Sequence, residues 1–419
     1  MPDERPLLLF VAPYFAPGYH GGVVQIYLGL LRQFRGFRVV VVADNWKVDQ
    51  ETARAWDNMA VESNGFTVER LDAFEFHLPQ NARSPLTKAF LLLPSLMRFF
   101  VLGRKQWKAL CRKYSPSVIV CGGTYSAGWL MPANPSGSLL VNYVHGEELT
   151  MQVAPAFLQP IMRMYQRRSL RDADMNIAVS RYTADLIARI SDRVTVLPNF
   201  IDHDRFYVSG RREELRSRYG WSDKKVLLTV ARLEPRKGID QALRALARLK
   251  QSGDLQDDWR YVIAGKGSEL GSLQRLISEL KLEDVVEFLG FVSDADLPGC
   301  YEAADVFLQP NRNLNGDTEG FGVVFLEAAA CGLPVIGGVA GGTGDAIDHG
   351  HNGLLVDGES IPQIADAIAL LMSDDALRAR FRAHGLEWAS RFDVEKGRAG
   401  FEKILLQLLQ QSDRSQVTS

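Results

Sequence analysis

The chain has 419 residues, 46% of them hydrophobic and 23% charged, which leaves room for two or three globular domains with substantial cores. A formal net charge of -2 excludes a surface tuned throughout to nucleic acid, and no nucleic-acid partner is expected. Cys111, Cys121, Cys300 and Cys331 show neither C-x-x-C spacing nor disulfide density, the opening MPDERP lacks the order of a signal peptide, and no window holds the roughly 18 uncharged apolar residues of a membrane span, so a cytoplasmic chain is expected.

In chain order, the apolar run Leu7 to Val11 predicts a strand, Ala12 to Gly22 (APYFAPGYHGG) a loop, and Val23 to Phe34 a helix. Further buried strands are predicted at Arg38 to Ala43, Ser117 to Cys121, Leu139 to Val144 and Met175 to Val179. Continuous β-branched runs alternating with helices describe a parallel sheet covered on both faces. The rhythm restarts with Lys225 to Val230, Arg260 to Ala264, Val285 to Leu289, Asp305 to Gln309 and Pro334 to Gly337. Between the two sets, Pro198, Asn199, Asp202, Asp204 and the charged run Arg211 to Arg218 place a linker near 195–222. The expected architecture is therefore α/β: two doubly wound Rossmann-like domains facing across a cleft, at 1–197 and 198–393, with a C-terminal helix, 394–419, that could cap either domain.

Ligands of such sheets bind on loops that follow strands, and the candidate residues stand there. After Asp305 to Gln309 comes GDTEGFGVVFLEAAACGLPVI, which puts Glu319 in a glycine-rich loop and Glu327 about two turns into an apolar helix. Backbone N–H groups of Gly320, Phe321 and Gly322 flank Glu319. The two carboxylates suit two ends of one elongated ligand, and Glu327, with apolar neighbours nearly all round, requires a partner. Arg232 and Lys237 stand after Lys225 to Val230, where fixed cations neutralise a diphosphate leaving group without a metal. Gly21 and Gly22 end the first loop, and His145 ends the strand Leu139 to Val144.

Glu319 to Glu327 resembles the E-x7-E signature of retaining glycosyltransferases, specifically family 4 with the GT-B fold. The resemblance implies that Glu319 binds sugar hydroxyls of a nucleotide-sugar donor and Glu327 the ribose, and that Arg232 and Lys237, an R-x4-K pair, bind the pyrophosphate. It further implies donor-site roles for Gly21 and Gly22, for Gly265 and Gly267 in the G-x-G loop, for Phe291 and Val292 beside the base, and for Gly320, Phe321 and Gly322. His145, in an HG motif, would contact the transferred sugar, and the leaving phosphate would itself help deprotonate the acceptor. Asn199-Phe200-Ile201-Asp202 resembles an interdomain N-G-V-D with Phe200 in place of glycine, and Gly341-Gly342-Thr343 a late glycine loop.

The contexts GDTEGFG and HGEE most resemble mannosyltransferases that use GDP-mannose, with UDP-glucose or UDP-N-acetylglucosamine as alternative donors. The acceptor would be a glycan, a lipid-linked glycan or a glycolipid. A nucleotide-sugar epimerase and a non-catalytic sugar-nucleotide-binding protein are the competing classes. No cofactor is expected, and no metal either: Asp172-Ala173-Asp174 and Asp294-Ala295-Asp296 have D-x-D form but read as a turn and a helix cap. Finally, Pro85 to Tyr114 mixes Leu, Phe and Trp107 with seven Lys and Arg and no acid. Such a segment is either a surface for anionic membrane, placing the protein at the inner face, or one or two domain helices with a solvated basic side.

Overall fold

The computed structural model describes residues 4–19, 21–45, 48–72, 94, 97–123, 137–150, 159–255 and 258–417. It divides into two compact units, residues 1–197 with 395–419, and residues 198–394.

The first unit holds seven parallel strands, β1 (Leu7–Val11), β2 (Arg38–Asp44), β3 (Thr67–Leu71), β4 (Val118–Cys121), β5 (Leu139–Val144), β6 (Met175–Ala178) and β7 (Val194–Val196), in the order 3-2-1-4-5-6-7. Its helices among the described residues are α1 (Gly22–Leu31), α2 (Gln50–Asn64), α3 (Arg104–Tyr114), α4 (Glu147–Thr150), α5 (Gln159–Asp172) and α6 (Arg181–Ala188), with a short π-helical turn at Phe99–Gly103 ahead of α3. β1 and β4 are completely buried apolar runs because helices cover both faces of a doubly wound sheet. A buried polar pair lies between β5 and β6, where Asn142 on β5 donates to its register partner Asn176 on β6 at 2.8 Å. Ser169 and backbone carbonyls satisfy the rest of that buried pair.

The second unit holds six parallel strands, β8 (Lys225–Val230), β9 (Trp259–Ala264), β10 (Val286–Gly290), β11 (Val306–Gln309), β12 (Val335–Gly338) and β13 (Gly353–Val356), in the order 10-9-8-11-12-13. Its helices are α7 (Arg212–Tyr219), α8 (Ile239–Ser252), α9 (Leu270–Glu279), α10 (Leu297–Ala303), α11 (Val323–Ala330), α12 (Thr343–Ala346), α13 (Ile361–Ser373) and α14 (Asp375–Ala389). The winding matches the first unit's, and in both the strand order reverses beside the first strand, between β1 and β4 and between β8 and β11. The carboxyl ends of strands at such a reversal are where open α/β sheets bind ligands.

The stretch predicted as a linker is folded. β7 is the edge strand of the first sheet, and the charged run forms α7, whose Arg212 and Arg216 pair with Asp305 at 2.6 and 3.1 Å. The other oxygen bond of Asp305 goes to the backbone N–H of Val226, so the ion cluster ties α7 to the start of β8. The last helix, α15 (Val394–Val417), packs on the first unit: Arg398 donates to the carbonyls of Gly29 and Leu30, and Glu402 accepts from the N–H groups of Arg35 and Gly36. It thereby supplies the missing partners at the C-terminus of α1.

Candidate active site

The loops after β8 and β11, the two strands at the reversal, meet through charge. Glu319 is 8% exposed, and its Oε2 accepts from Lys237 Nζ at 2.5 Å and from Arg236 Nη1 at 3.1 Å. Arg236 is 2% exposed and Lys237 8%, both carried by a single 3-10 turn, Pro235–Lys237. Burial pushes the Glu319 carboxyl up, but the two cations outweigh it and hold it below the usual carboxylate range. Asp317 Oδ1 lies 3.5 Å from Arg236; burial and the carboxylates of Glu234 and Glu319 raise it against the pull of Arg236. Arg232 instead points outward, 61% exposed, and pairs with Glu234 at 2.9 Å.

Glycines let these loops touch backbone to backbone. A Cβ on Gly265, whose φ is +145°, would lie 1.8 Å from the carbonyl oxygen of Ala231, and one on Gly267 2.3 Å from that of Leu233. The G-x-G loop after β9 therefore has a structural duty, holding the 231–238 loop through the bond from Leu233 N–H to Lys266 O at 3.0 Å. Gly341 plays the same part on the other side, where a Cβ would meet the Glu319 carbonyl at 2.0 Å and where Gly342 N–H donates to it at 2.8 Å. Buried Asn311 links the loop after β11 to that after β12, donating to Ala340 O and Thr343 Oγ1 and accepting from Gly338 N–H. Glu319 is thus fixed from both sides, its carboxylate by cations and its backbone by the glycine loop.

α11 starts at Val323 with Gly322, φ +87°, as its N-cap and no side chain capping it. In its first turn the N–H of Phe325 donates to the carbonyl of Gly322 at 3.0 Å, and those of Val323 and Val324 precede the first intrahelical bonds. Phe321, just before it, is buried. Glu327 lies half-buried on the side of α11 shared with Val323 and Val324, and its Oε2 accepts from the Tyr301 hydroxyl of α10 at 2.8 Å. Burial lifts its carboxyl above the ordinary range, while Tyr301 and Arg205 pull it back. At the end of β10, Phe291 is 68% exposed with Lys266 Nζ 5.8 Å from its ring centre, and Val292 is half-buried.

In the first unit, Gly21 caps α1 at φ 151° and ψ 170°, a conformation reserved for glycine. Among the described residues nothing lies within 4 Å of a Cβ built on Gly21 or Gly22. His145, at the end of β5, is 7% exposed, with its ring 4.6 Å from Tyr143 and 5.3 Å from Tyr27, centre to centre. Among the described residues neither ring nitrogen has a hydrogen-bond partner, and burial lowers the pKa to about 3, so the imidazole is neutral. The backbone N–H of His145 donates to Glu148 Oε1 at 2.9 Å, and burial pushes Glu148 up to about 7.

Two family models match the chain: "Glycosyltransferase Family 4" over residues 20–205 and "Glycosyl transferases group 1" over 211–388. Together they span most of both units. The chain belongs to the GT-B glycosyltransferases. This glycosyltransferase is 36% identical over 256 residues to a GDP-mannose-dependent alpha-(1-6)-phosphatidylinositol monomannoside mannosyltransferase of Mycolicibacterium smegmatis, a match over 60% of this chain and 65% of that one. It is 35% identical over 227 residues to a D-inositol 3-phosphate glycosyltransferase of Stackebrandtia nassauensis, covering 52% of this chain and 49% of the relative. The glycosyltransferase thus spans less than two thirds of the length of either of these relatives. Among solved structures, sucrose-phosphate synthase of Thermosynechococcus elongatus superposes with TM-score 0.74 at 22% identity over 96% of this chain and 99% of that chain, and Anabaena HepE with UDP-glucose with TM-score 0.72 at 21% identity over 96% and 100%. These two share the fold.

Of the glycosyltransferase's predicted site residues, the structure joins Lys237 to Glu319, sets Glu319 beside the 341–342 glycines, and gives Glu327 a tyrosine partner. It does not join Arg232 to Lys237's partner; the neighbouring Arg236 takes that place. Arg236, Tyr301 and Asn311 escaped sequence reading because no spacing rule separates an inward arginine from an outward one four residues away. Among the described residues no group of three or more His, Cys, Asp or Glu could hold a metal, and the D-x-D carboxylates are engaged with Arg168, Leu140 N–H, Arg205 and Arg218.

Proposed function

We propose that the chain is a retaining, metal-independent hexosyltransferase that moves mannose from GDP-mannose to a hydroxyl of a glycan, a lipid-linked glycan or a glycolipid, at the cytoplasmic side. The observation that carries this reading is the buried Lys237–Glu319–Arg236 cluster at the strand-order reversal of the second sheet. A diphosphate leaving as mannose departs carries charge that two preorganised cations stabilise. Here Lys237 and Arg236 do that work, with Arg232, paired with Glu234 on the same loop, reaching the same phosphates from the surface. Glu319, held ionised, accepts hydroxyls of the donor sugar; Glu327, oriented by Tyr301, accepts the ribose diol. The first-turn N–H groups beside Gly320 to Gly322 and the Gly21–Gly22 turn offer donors to anionic oxygens, and the base lies along Phe291 and Val292.

His145 has two ring nitrogens without a partner among the described residues and stays neutral, so it can both donate to and accept from sugar hydroxyls without competing for the acceptor proton. In the step proposed, the anomeric C–O bond to phosphate breaks, the acceptor oxygen bonds to the same face of that carbon, and the acceptor proton passes to the departing phosphate oxygen. No carboxylate nucleophile is used. The GDP-mannose choice is supported by the likeness to GDP-mannose-dependent mannosyltransferases.

The test is thermal stabilisation by GDP, UDP, ADP and their sugars, followed by product analysis with the preferred donor, since a ligand that binds only the folded state raises the midpoint. GDP and GDP-mannose are expected to shift the midpoint, and the product to carry an α-mannosyl linkage. A shift by UDP sugars alone moves the donor to UDP-glucose or UDP-N-acetylglucosamine; conversion of the sugar without transfer makes the chain an epimerase; an inverted anomer removes the retaining mechanism.

A further inference from the structure

The outer side of one face of the first unit's sheet is basic and apolar at once. α3 and α5 both feed one core cluster on that face: Trp107, Leu110 and Cys111 come from α3 and Met162 from α5, with Tyr165 packed against them. Trp107, which the sequence reading offered to a membrane, is therefore core; residues 85–93, 95 and 96 of the same basic segment lie outside the described residues. Two helices packed on the same sheet face turn their opposite sides outward together.

On α5 that outward side carries Arg163, Arg167 and Arg171 at four-residue intervals, all exposed, with Ile161 and Met164 standing 45% and 57% exposed among them. The single acid of α5, Asp172, is taken up by Arg168 at 3.1 Å. α3 contains no acid and exposes Lys105, Lys108 and Arg112, while Lys113 is bound to Glu69. The turn preceding α3 adds Val101, 70% exposed. Among the described residues no carboxylate pairs with Arg163, Arg167 or Arg171 of α5 or with Lys105, Lys108 and Arg112.

Charge of this density on a chain of net charge -2 calls for an anionic partner. Large apolar side chains standing among arginines narrow the class: a polyanion in water leaves Ile161, Met164 and Val101 unrewarded, whereas a bilayer takes phosphates at the arginines and buries apolar tips at the boundary with the acyl chains. We propose that the α3–α5 face docks this protein on an anionic lipid bilayer. This surface was not legible as such in sequence, because α5 reads as an ordinary amphipathic helix until its neighbours are known. It does not depend on the donor assignment above.

The experiment is flotation of the full chain with vesicles of phosphatidylcholine alone or mixed equally with phosphatidylglycerol, at low and high salt, beside binding to heparin as a soluble polyanion. Binding to the mixed vesicles only, weakened by salt, is expected. Each basic residue near an anionic surface contributes roughly fivefold, so Arg163→Glu with Arg167→Glu and Arg171→Glu should lower partitioning on the order of 100-fold or more. Ile161→Ser with Met164→Ser should lower vesicle binding and leave heparin binding as it was. An unchanged melting midpoint and an unchanged nucleotide-induced shift show that either variant is folded with its donor site intact. Equal binding to both vesicle types, no binding to either, or retention by the charge-reversed variant overturns the proposal. So does vesicle binding that Ser substitution leaves untouched, which assigns the face to a soluble acidic macromolecule.

Discussion

Lys237 reaches Glu319 across 2.5 Å from a different loop, 82 residues earlier in the chain, and both side chains are only 10% exposed. Arg236 supports the same oxygen from the other side, so one carboxylate answers two buried cations. Removing one member of a buried pair leaves an uncompensated charge. Lys237→Ala is expected to cost about 1–3 kcal/mol, below the usual 3–5 because Arg236 remains, and to lower transfer by roughly 100-fold or more. Lys237→Met with Glu319→Gln should recover much of that stability and none of the activity. Urea unfolding and donor turnover measured on the same preparations check this, and recovery of both would mean that the pair is structural.

Arg236 and Arg232 stand four residues apart and predict opposite phenotypes. Arg236→Ala empties a 2%-exposed site bonded to Glu319 and flanked by Asp317 and Glu234, and should destabilise by about 2–4 kcal/mol. Arg232→Ala, at 61% exposure, should stay within about 0.5 kcal/mol in stability while still raising the KM for donor. Equal unfolding midpoints for the two variants would remove the assignment of Arg236 as the inward cation.

His145 and Glu148 carry opposite pH dependences over overlapping windows. The pKa of His145 falls from 6.5 to about 3 on folding, so its neutral form adds stability above pH 6.5 that is lost as pH drops towards 3. Glu148 rises from 4.5 to about 7, so its contribution is full below pH 4.5 and disappears as pH climbs through 7. Thermal midpoints taken from pH 4 to 8 should lose their acid limb in His145→Gln and their alkaline limb in Glu148→Gln. Parallel curves for wild type and both variants would refute the burial argument.

Tyr301→Phe deletes the hydroxyl that helps keep Glu327 ionised. The Glu327 carboxyl, already raised by burial, should rise further, and the KM for donor should increase several-fold with kcat little changed. That KM effect should grow as pH falls, where the protonated carboxyl can no longer accept a diol as an ion. A change confined to kcat would place Tyr301 and Glu327 elsewhere in the reaction.

Glycine substitutions separate packing from binding. Gly265→Ala and Gly341→Ala each drive a Cβ to 2.0 Å or less from a backbone oxygen and should yield chains that lose several kcal/mol or fail to fold. Gly22→Ala meets nothing within 4 Å among the described residues and should fold normally, yet it should weaken binding if a ligand approaches that turn. Solubility and melting midpoint settle the first pair; ligand-induced stabilisation settles the third.

By itself the sequence determined the two α/β units, because a strand buried on both faces must be continuously apolar and such runs as LLLFV, KVLLTV and LLVNYV cannot hide. It also marked Glu319 and Glu327, since carboxylates in a glycine-rich loop and an apolar helix stand out against their surroundings. The edge strands β3 and β13 escaped, being short and, in TVERL, half polar, as a strand with one uncovered side can be. Which cation turns inward, which hydroxyl meets Glu327, and why Gly265 and Gly341 are glycines were decided only by the tertiary structure. Each depends on a loop from a distant part of the chain approaching within hydrogen-bond distance, and neither periodicity nor spacing encodes the position of the other loop.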